Sequence, residues 1–211
     1  MAKITAITTQ QKNKDRVNLF IDDEFFSGLS LETVMLNRLK VDMEVDSNKL
    51  KEIVEQSERT DALNKALNYI SKTLKTKIQV KDYLVKKGYS LEVAWYCVDK
   101  LKDYKFIDDK EYSKKYIECN SKSQGKRLFS YKLMEKGVRK EDIEKALEES
   151  EIDLKECAFN TAQKYLKNKE ITKEILVKTY RYLIGRGFSY EETDYAISKF
   201  KDEDWWKEYL P

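Results

Sequence analysis

The side chains of this sequence best suited to chemistry are its lysines and arginines, and the chemistry they suggest is anion binding rather than bond breaking. Between residues 71 and 90 stand Lys72, Lys75, Lys77, Lys81, Lys86 and Lys87 against Asp82 alone. Between 122 and 140 stand Lys122, Lys126, Arg127, Lys132, Lys136, Arg139 and Lys140 against Glu135 alone. Residues 141–156 reverse the sign, with eight carboxylates against Lys145 and Lys155. The formal net charge of +3 hides this polarity, and binding to an anionic partner depends on where charge lies, not on its sum. A basic window holds phosphates or an acidic protein groove through contacts that salt weakens steeply. A lysine run is usually a solvated helix face, and that reading stands beside the functional one.

Enzymatic chemistry finds little support. The sequence has no His, which removes the commonest general base at neutral pH and the commonest zinc ligand. Serine triads, Cys–His dyads and HExxH centres are therefore excluded. Gly125-Lys126 is no phosphate-binding P-loop, because Asn120 stands where the first glycine is needed. No cofactor is expected. The carboxylates of 141–156 read as a solvated face rather than a divalent-metal site. Cys97, Cys119 and Cys157 fit neither a disulfide framework nor zinc-ligand spacing and read as reduced core residues. The tyrosines and Trp95 recur at helical spacing and read as core, whereas Trp205-Trp206 at the acidic C-terminal end suggest docking. No stretch approaches the roughly 20 apolar residues of a membrane helix, and MAKITAITTQ lacks the apolar run of a secretory leader. A cytoplasmic monomer is the expectation.

The elements that carry these residues follow from composition and self-similarity. With 41% hydrophobic residues the chain can bury cores, and one Pro and six Gly leave few helix breakers. The segments Tyr83–Ser90, Lys132–Arg139 and Tyr182–Ser189 align around Gly88, Gly137 and Gly187, spaced 49 and 50 residues apart. Gly just past a helix end takes the left-handed conformation without a Cβ penalty, and the residue after it packs back onto the last turn. The packing pairs would be Tyr89 with Leu84, Val138 with Leu133 and Phe188 with Leu183. A new helix then starts at once, with Ser90 and Ser189 as N-caps and Glu192 closing a capping box; Arg139 stands at the equivalent place in the second copy. Cys97-Val98, Ala146-Leu147 and Ala196-Ile197 mark the buried stripe of a third helix. Tyr69-Ile70, Tyr116-Ile117 and Tyr165-Leu166 mark that of a first.

The predicted architecture is mainly α: three tandem three-helix repeats in an elongated array at residues 61–108, 109–153 and 154–200, with a tail at 201–211. Residues 1–60 form a separate module. Ile4–Thr9 and Val17–Phe26 read as a strand meander turning at Lys12–Asp15 and Asp22-Asp23. Helical patterns follow at Leu31–Lys40 and Ser47–Gln56, with Val41–Val45 either a short strand or a loop.

The tandem repeat, Phe106-Ile107-Asp108-Asp109 followed by Tyr112 and Tyr116, and Gly125-Lys126-Arg127 leading to Leu133 and Lys136-Gly137-Val138 resemble the RecX family over about residues 61–200. The strand-rich module resembles the N-terminal extension of its Gram-positive members. An arginine pair usual in the family after the first helix is missing near Thr73 and Lys75, and lysine cannot reproduce bidentate guanidinium contacts. The resemblance implies a negative regulator that binds the RecA filament on single- or double-stranded DNA and restrains recombinase, ATPase and coprotease activities. The alternative is a helical repeat protein that binds DNA without RecA, through backbone electrostatics; a carboxylate-based hydrolase is a distant third. Because both basic windows fall on the second helix of their repeat, stacking would merge them into one stripe. The expected contacts are Lys126, Arg127, Lys132 and Arg139, with Lys75, Lys77 and Lys81.

Overall fold

The computed structural model describes residues 2–11 and 13–200, so Trp205 and Trp206 lie outside the described residues. The chain divides into two compact units. Of the described residues, one comprises those up to Thr73 with Val80–Phe106; the other comprises Leu74–Gln79 with residues 107–200.

The first unit begins with strands β1 (Ala2–Thr9), β2 (Arg16–Ile21), β3 (Glu24–Ser30) and β4 (Glu44–Val45), antiparallel in the order β3-β2-β1-β4. Alternation places Val17, Leu19 and Ile21 on the inner face, where they join Ile4, Leu29 and Val45 in one core. Asp22 and Asp23 both take positive φ, as a tight turn between right-twisted strands requires. Helix α1 (Leu31–Leu36) leads from β3 toward β4 and buries Val34. Helix α2 (Ser47–Ile70) adds Leu50 and Ile53 to that core. Asp46 caps α2, accepting the amides of Asn48 and Lys49, and these bonds hold its carboxyl below the usual range. Farther along, α2 packs on α4 (Leu91–Asp103), both burying small residues: Ala62 and Ala66 on one, Ala94 and Cys97 on the other.

The second unit holds α5 (Asp109–Asn120), α6 (Lys126–Glu135), α7 (Lys140–Glu148), α8 (Leu154–Leu166), α9 (Lys173–Gly185) and α10 (Tyr190–Ser198). Ile117, Phe129, Leu133, Val138 and Ile143 make the core of α5–α7. Ala158, Leu176, Leu183, Phe188 and Ile197 belong to that of α8–α10. Helix α3 (Lys77–Lys86) contributes its first residues to this unit and the rest to the other.

The glycine caps are present as the spacing predicts. Gly88, Gly137 and Gly187 have φ of 94°, 80° and 88°. At each, the following amide donates back to Leu84, Leu133 or Leu183, completing the expected two-bond cap. Ser90 and Ser189 cap the next helices, Ser189 with the Glu192 box, and Arg139 makes no side-chain cap bond. Two caps of the same kind use non-glycine residues: Arg38 after α1 and Lys105 after α4, with φ of 52° and 58°.

Several expectations change. The helix predicted at Ser47–Gln56 runs unbroken to Ile70, so the boundary placed between residues 60 and 61 falls inside α2; no Gly or Pro interrupts residues 47–70. The helix predicted at Leu31–Lys40 stops at Leu36, where Arg38 turns the chain. Val41–Val45 contains a strand only at Glu44–Val45. Cys119 is exposed rather than core, because α5 buries Asp109, Ser113 and Ile117 and residue 119 lies off that stripe. Trp95 is 42% exposed for the same reason, α4 burying Val93, Ala94, Cys97, Val98 and Leu101.

Candidate interaction surface

The seven candidate cations do not share one environment. Thr76 forms a capping box with Gln79 at the start of α3, the Thr76 amide donating to Gln79 at 3.1 Å and the Gln79 amide to Thr76 at 3.2 Å. The next amide, that of Lys77, donates to Oδ1 of buried Asp109 at 3.0 Å, and the Lys77 ammonium lies 3.6 Å from Oδ2. Lys77 is therefore a structural cation, tying α3 to the first turn of α5. Lys81 is mostly buried and pairs with Asp82 at 2.6 Å. Lys75 is half-buried.

The second window differs. Lys126 and Arg127, the first two residues of α6, are exposed and carry no acidic partner among the described residues. Lys132 is half-buried, at the place where the first and third copies have Tyr83 and Tyr182. Those tyrosines stack on Tyr69 and Tyr165, at ring separations of 4.1 Å and 4.4 Å, whereas Tyr116 in the second copy meets Phe129 edge-on. Arg139 is well exposed but pairs with Asp142 through Nε at 3.3 Å.

Two residues that sequence reasoning assigned to the core or passed over complete this face. Tyr131 is 57% and Met134 49% exposed. They follow Arg127 by four and seven residues, which puts all three on one side of α6. The Tyr131 hydroxyl bonds to Glu135, one turn on, and that bond raises its pKa. The available signal was the helical spacing of Arg127, Tyr131 and Met134.

The mounting of α6 explains Gly125. Its amide donates to the Arg186 carbonyl at 2.9 Å, and the Arg127 amide donates to the Gly187 carbonyl at 3.1 Å. A Cβ on Gly125 would stand 2.4 Å from the Gly187 oxygen, so only glycine permits the approach. The same joint recurs between α3 and α6: the Thr76 hydroxyl donates to the Lys136 carbonyl at 2.6 Å, and Gly137 lies against Ile78. Each joint sets the start of one second helix on the glycine cap of the next. The N-cap amide and one leading amide of α6 are engaged in this way, so an anion there would meet side chains more than the helix terminus. Helix α9, 13 residues long against 10 for α3 and α6, starts nearly a turn earlier relative to its glycine.

Among the described residues, three of the eight carboxylates of 141–156 are ion-paired: Asp142, Glu144 and Glu149. Glu149 accepts from Lys110 and Lys114, which hold its carboxyl down at about 2, and Glu144 pairs with Lys140. Among the described residues, no group of His, Cys, Asp or Glu is placed to hold a metal ion. Cys97 is buried, its thiol pushed up to about 11 by desolvation and donating to the Arg59 carbonyl at 3.8 Å. It is not a poised nucleophile. Among the described residues no helix is long and apolar enough to cross a membrane.

The described chain is mainly helical, with a small N-terminal sheet and an exposed cationic helix face. Residues 2–46 match the RecX N-terminal domain of regulatory proteins, and residues 62–101 match the first three-helix domain of RecX. The regulatory protein RecX of Clostridium botulinum strain Alaska E43 is 39% identical, covering 90% of this chain and 92% of that protein. That of Bacillus subtilis is 29% identical over 100% of this chain and 83% of its own. A crystal structure of regulatory protein RecX superposes with TM-score 0.67 at 23% identity, over 96% of this chain and 100% of the other. RecX from Lactobacillus salivarius gives 0.61 at 26% identity, over 67% of this chain and 96% of the other. The chain belongs to the RecX family of regulatory proteins.

Proposed function

We propose that this protein is a non-enzymatic negative regulator of RecA that binds the RecA–DNA filament in the cytoplasm, as a monomer, and restrains recombinase, ATPase and coprotease activities during recombination and repair. Membership of the RecX family supports the partner. The observation that carries the mode of binding is the outer face of α6, where Lys126 and Arg127 stand without acidic partners among the described residues, beside exposed Tyr131 and Met134. Cations flanking a small apolar patch match a surface that is anionic and partly apolar, as a nucleoprotein filament is. Rigid mounting of α6 through Gly125 and Arg127 lowers the ordering cost of binding. Half-buried Lys132 and Arg139, which pairs with Asp142, are the secondary contacts. Lys77 and Lys81 are engaged in pairs with Asp109 and Asp82, and Lys75 is half-buried ahead of α3, so this window contributes less than the α6 face. Residues 61–108, 109–153 and 154–200 are proposed as the three working repeats, the first sharing α2 with the N-terminal module.

The test compares affinity for single-stranded DNA with and without RecA and ATP. A steep rise with RecA present supports a filament regulator. Equal affinity in both states would instead favour a protein that binds DNA by backbone electrostatics alone.

A further inference from the structure

Within the first unit two cavities run together along α2. One, of about 200 Å³, lies between α1 and α2 and is lined by Glu32, Leu36 and Ile53 among others. The second, of about 370 Å³, continues between α2 and α4, lined by Glu52, Glu55, Leu63 and Tyr96. Gln56 and Thr60 line both, so the two adjoin on one side of α2 and are together called the groove. Its carboxylates, Glu32, Glu52 and Glu55, are exposed. The one cation in it, Arg59, is turned to Tyr96, with its guanidinium 4.8 Å from the ring centroid, and bonds Glu92 at 3.2 Å. At one end Leu36 is 76% exposed, and Met35 beside it 68%.

We propose that this groove is a docking site for a protein segment that presents apolar side chains flanked by lysine or arginine. The partner is fixed by charge complementarity. A nucleic acid would bring phosphates against three carboxylates, whereas a basic segment pairs with Glu32, Glu52 and Glu55 while its apolar residues cover Leu36 and Leu63. The amphipathic helix is the form that such grooves commonly take. This inference does not depend on the α6 face or on the identity of the filament. It gives the chain a second binding surface, opposite in charge to the first.

The probe is a short helical peptide of leucine and lysine, titrated into the full chain and read by fluorescence anisotropy. Three variants are compared with the parent: Leu36→Ser, Glu52→Lys with Glu55→Lys, and, as a charge-matched control on α7, Glu141→Lys with Glu144→Lys. All replace exposed or half-buried side chains, so the helical spectrum should be unchanged. The first two should each weaken peptide binding by roughly tenfold or more, with the control close to the parent. Equal weakening by the control would reduce the effect to general acidity and overturn the proposal. So would unchanged binding in the groove variants. Loss of affinity for DNA in Leu36→Ser would make the groove a nucleic-acid site, and loss of a concentration-dependent self-association would make a second copy the occupant; either result overturns it.

Discussion

The amide of Arg127 donates to the carbonyl of Gly187 at 3.1 Å while the Arg127 side chain stays exposed. One residue thus fastens α6 with its backbone and offers charge with its side chain. Stability and binding should separate cleanly at this position, since side-chain substitution leaves the joint intact.

Gly125→Ala should be costly. Its Cβ would meet main-chain atoms of Gly187 and Phe188 at 2.4 Å, and overpacking against backbone costs about 1–3 kcal/mol. Gly185→Ala is the contrast, because a Cβ there meets nothing within 4 Å on the last residue of α9; it should be neutral or stabilising by up to about 1 kcal/mol. Urea unfolding of both decides. Equal stabilities would mean that the joint is looser than its distances indicate.

Lys105→Gly should stabilise the protein. Left-handed geometry costs a side-chain-bearing residue about 1–2 kcal/mol, against about 0.5–1 kcal/mol for the added freedom of glycine in the unfolded chain. A small rise in Tm is expected, and a fall would show that the Lys105 side chain makes a compensating contact.

The proposed function requires that reversal of Lys126 and Arg127 to Glu abolish inhibition of RecA ATPase and strand exchange with the circular dichroism spectrum unchanged. Reversal of Lys164 and Lys167 on and after α8, both exposed, is the matched control and should retain inhibition. Wild-type inhibition should also weaken as salt rises. Full inhibition by the α6 variant would place the contact on another face.

Glu149 gives a pH signature. Its hydrogen bonds to Lys110 and Lys114 lower its carboxyl from the ordinary 4.5 to about 2. The charged form is therefore favoured in the folded state, and the stabilisation is fully present above the unfolded value of 4.5. It fades as pH falls from there toward about 2. Glu149→Gln should differ from the parent near neutrality, with the difference closing across that window and shrinking in high salt, as befits an exposed group. A pH-independent difference would point to packing instead.

The repeat was legible because its signal is local: glycine and the flanking apolar pair write each helix end into eight residues. Arg38 and Lys105 were not, because a charged residue in left-handed geometry leaves no compositional mark. The continuity of α2 was hidden by the change from a sheet-packing to a helix-packing face partway along, which breaks the apolar period without breaking the helix. The cationic windows were visible as charge but not as availability. Whether Lys77 faces solvent or Asp109 depends on a contact 32 residues away, and nothing near Lys77 in sequence announces it. Tyr131 and Met134 escaped because an apolar side chain at helical spacing is read as core until the other side of the helix is seen to be the buried one.

The helix-to-cap joint has a direction: a leading end meets a trailing glycine, never the reverse. An additional copy of the middle repeat, inserted after residue 153, would find a glycine cap ahead of it and a matching leading end behind. The same copy appended after the third repeat would meet α9, whose extra turn overshoots the place where the joint forms. Duplication of the middle repeat would therefore preserve the joint on both sides, so the length of α9 decides where such a copy fits.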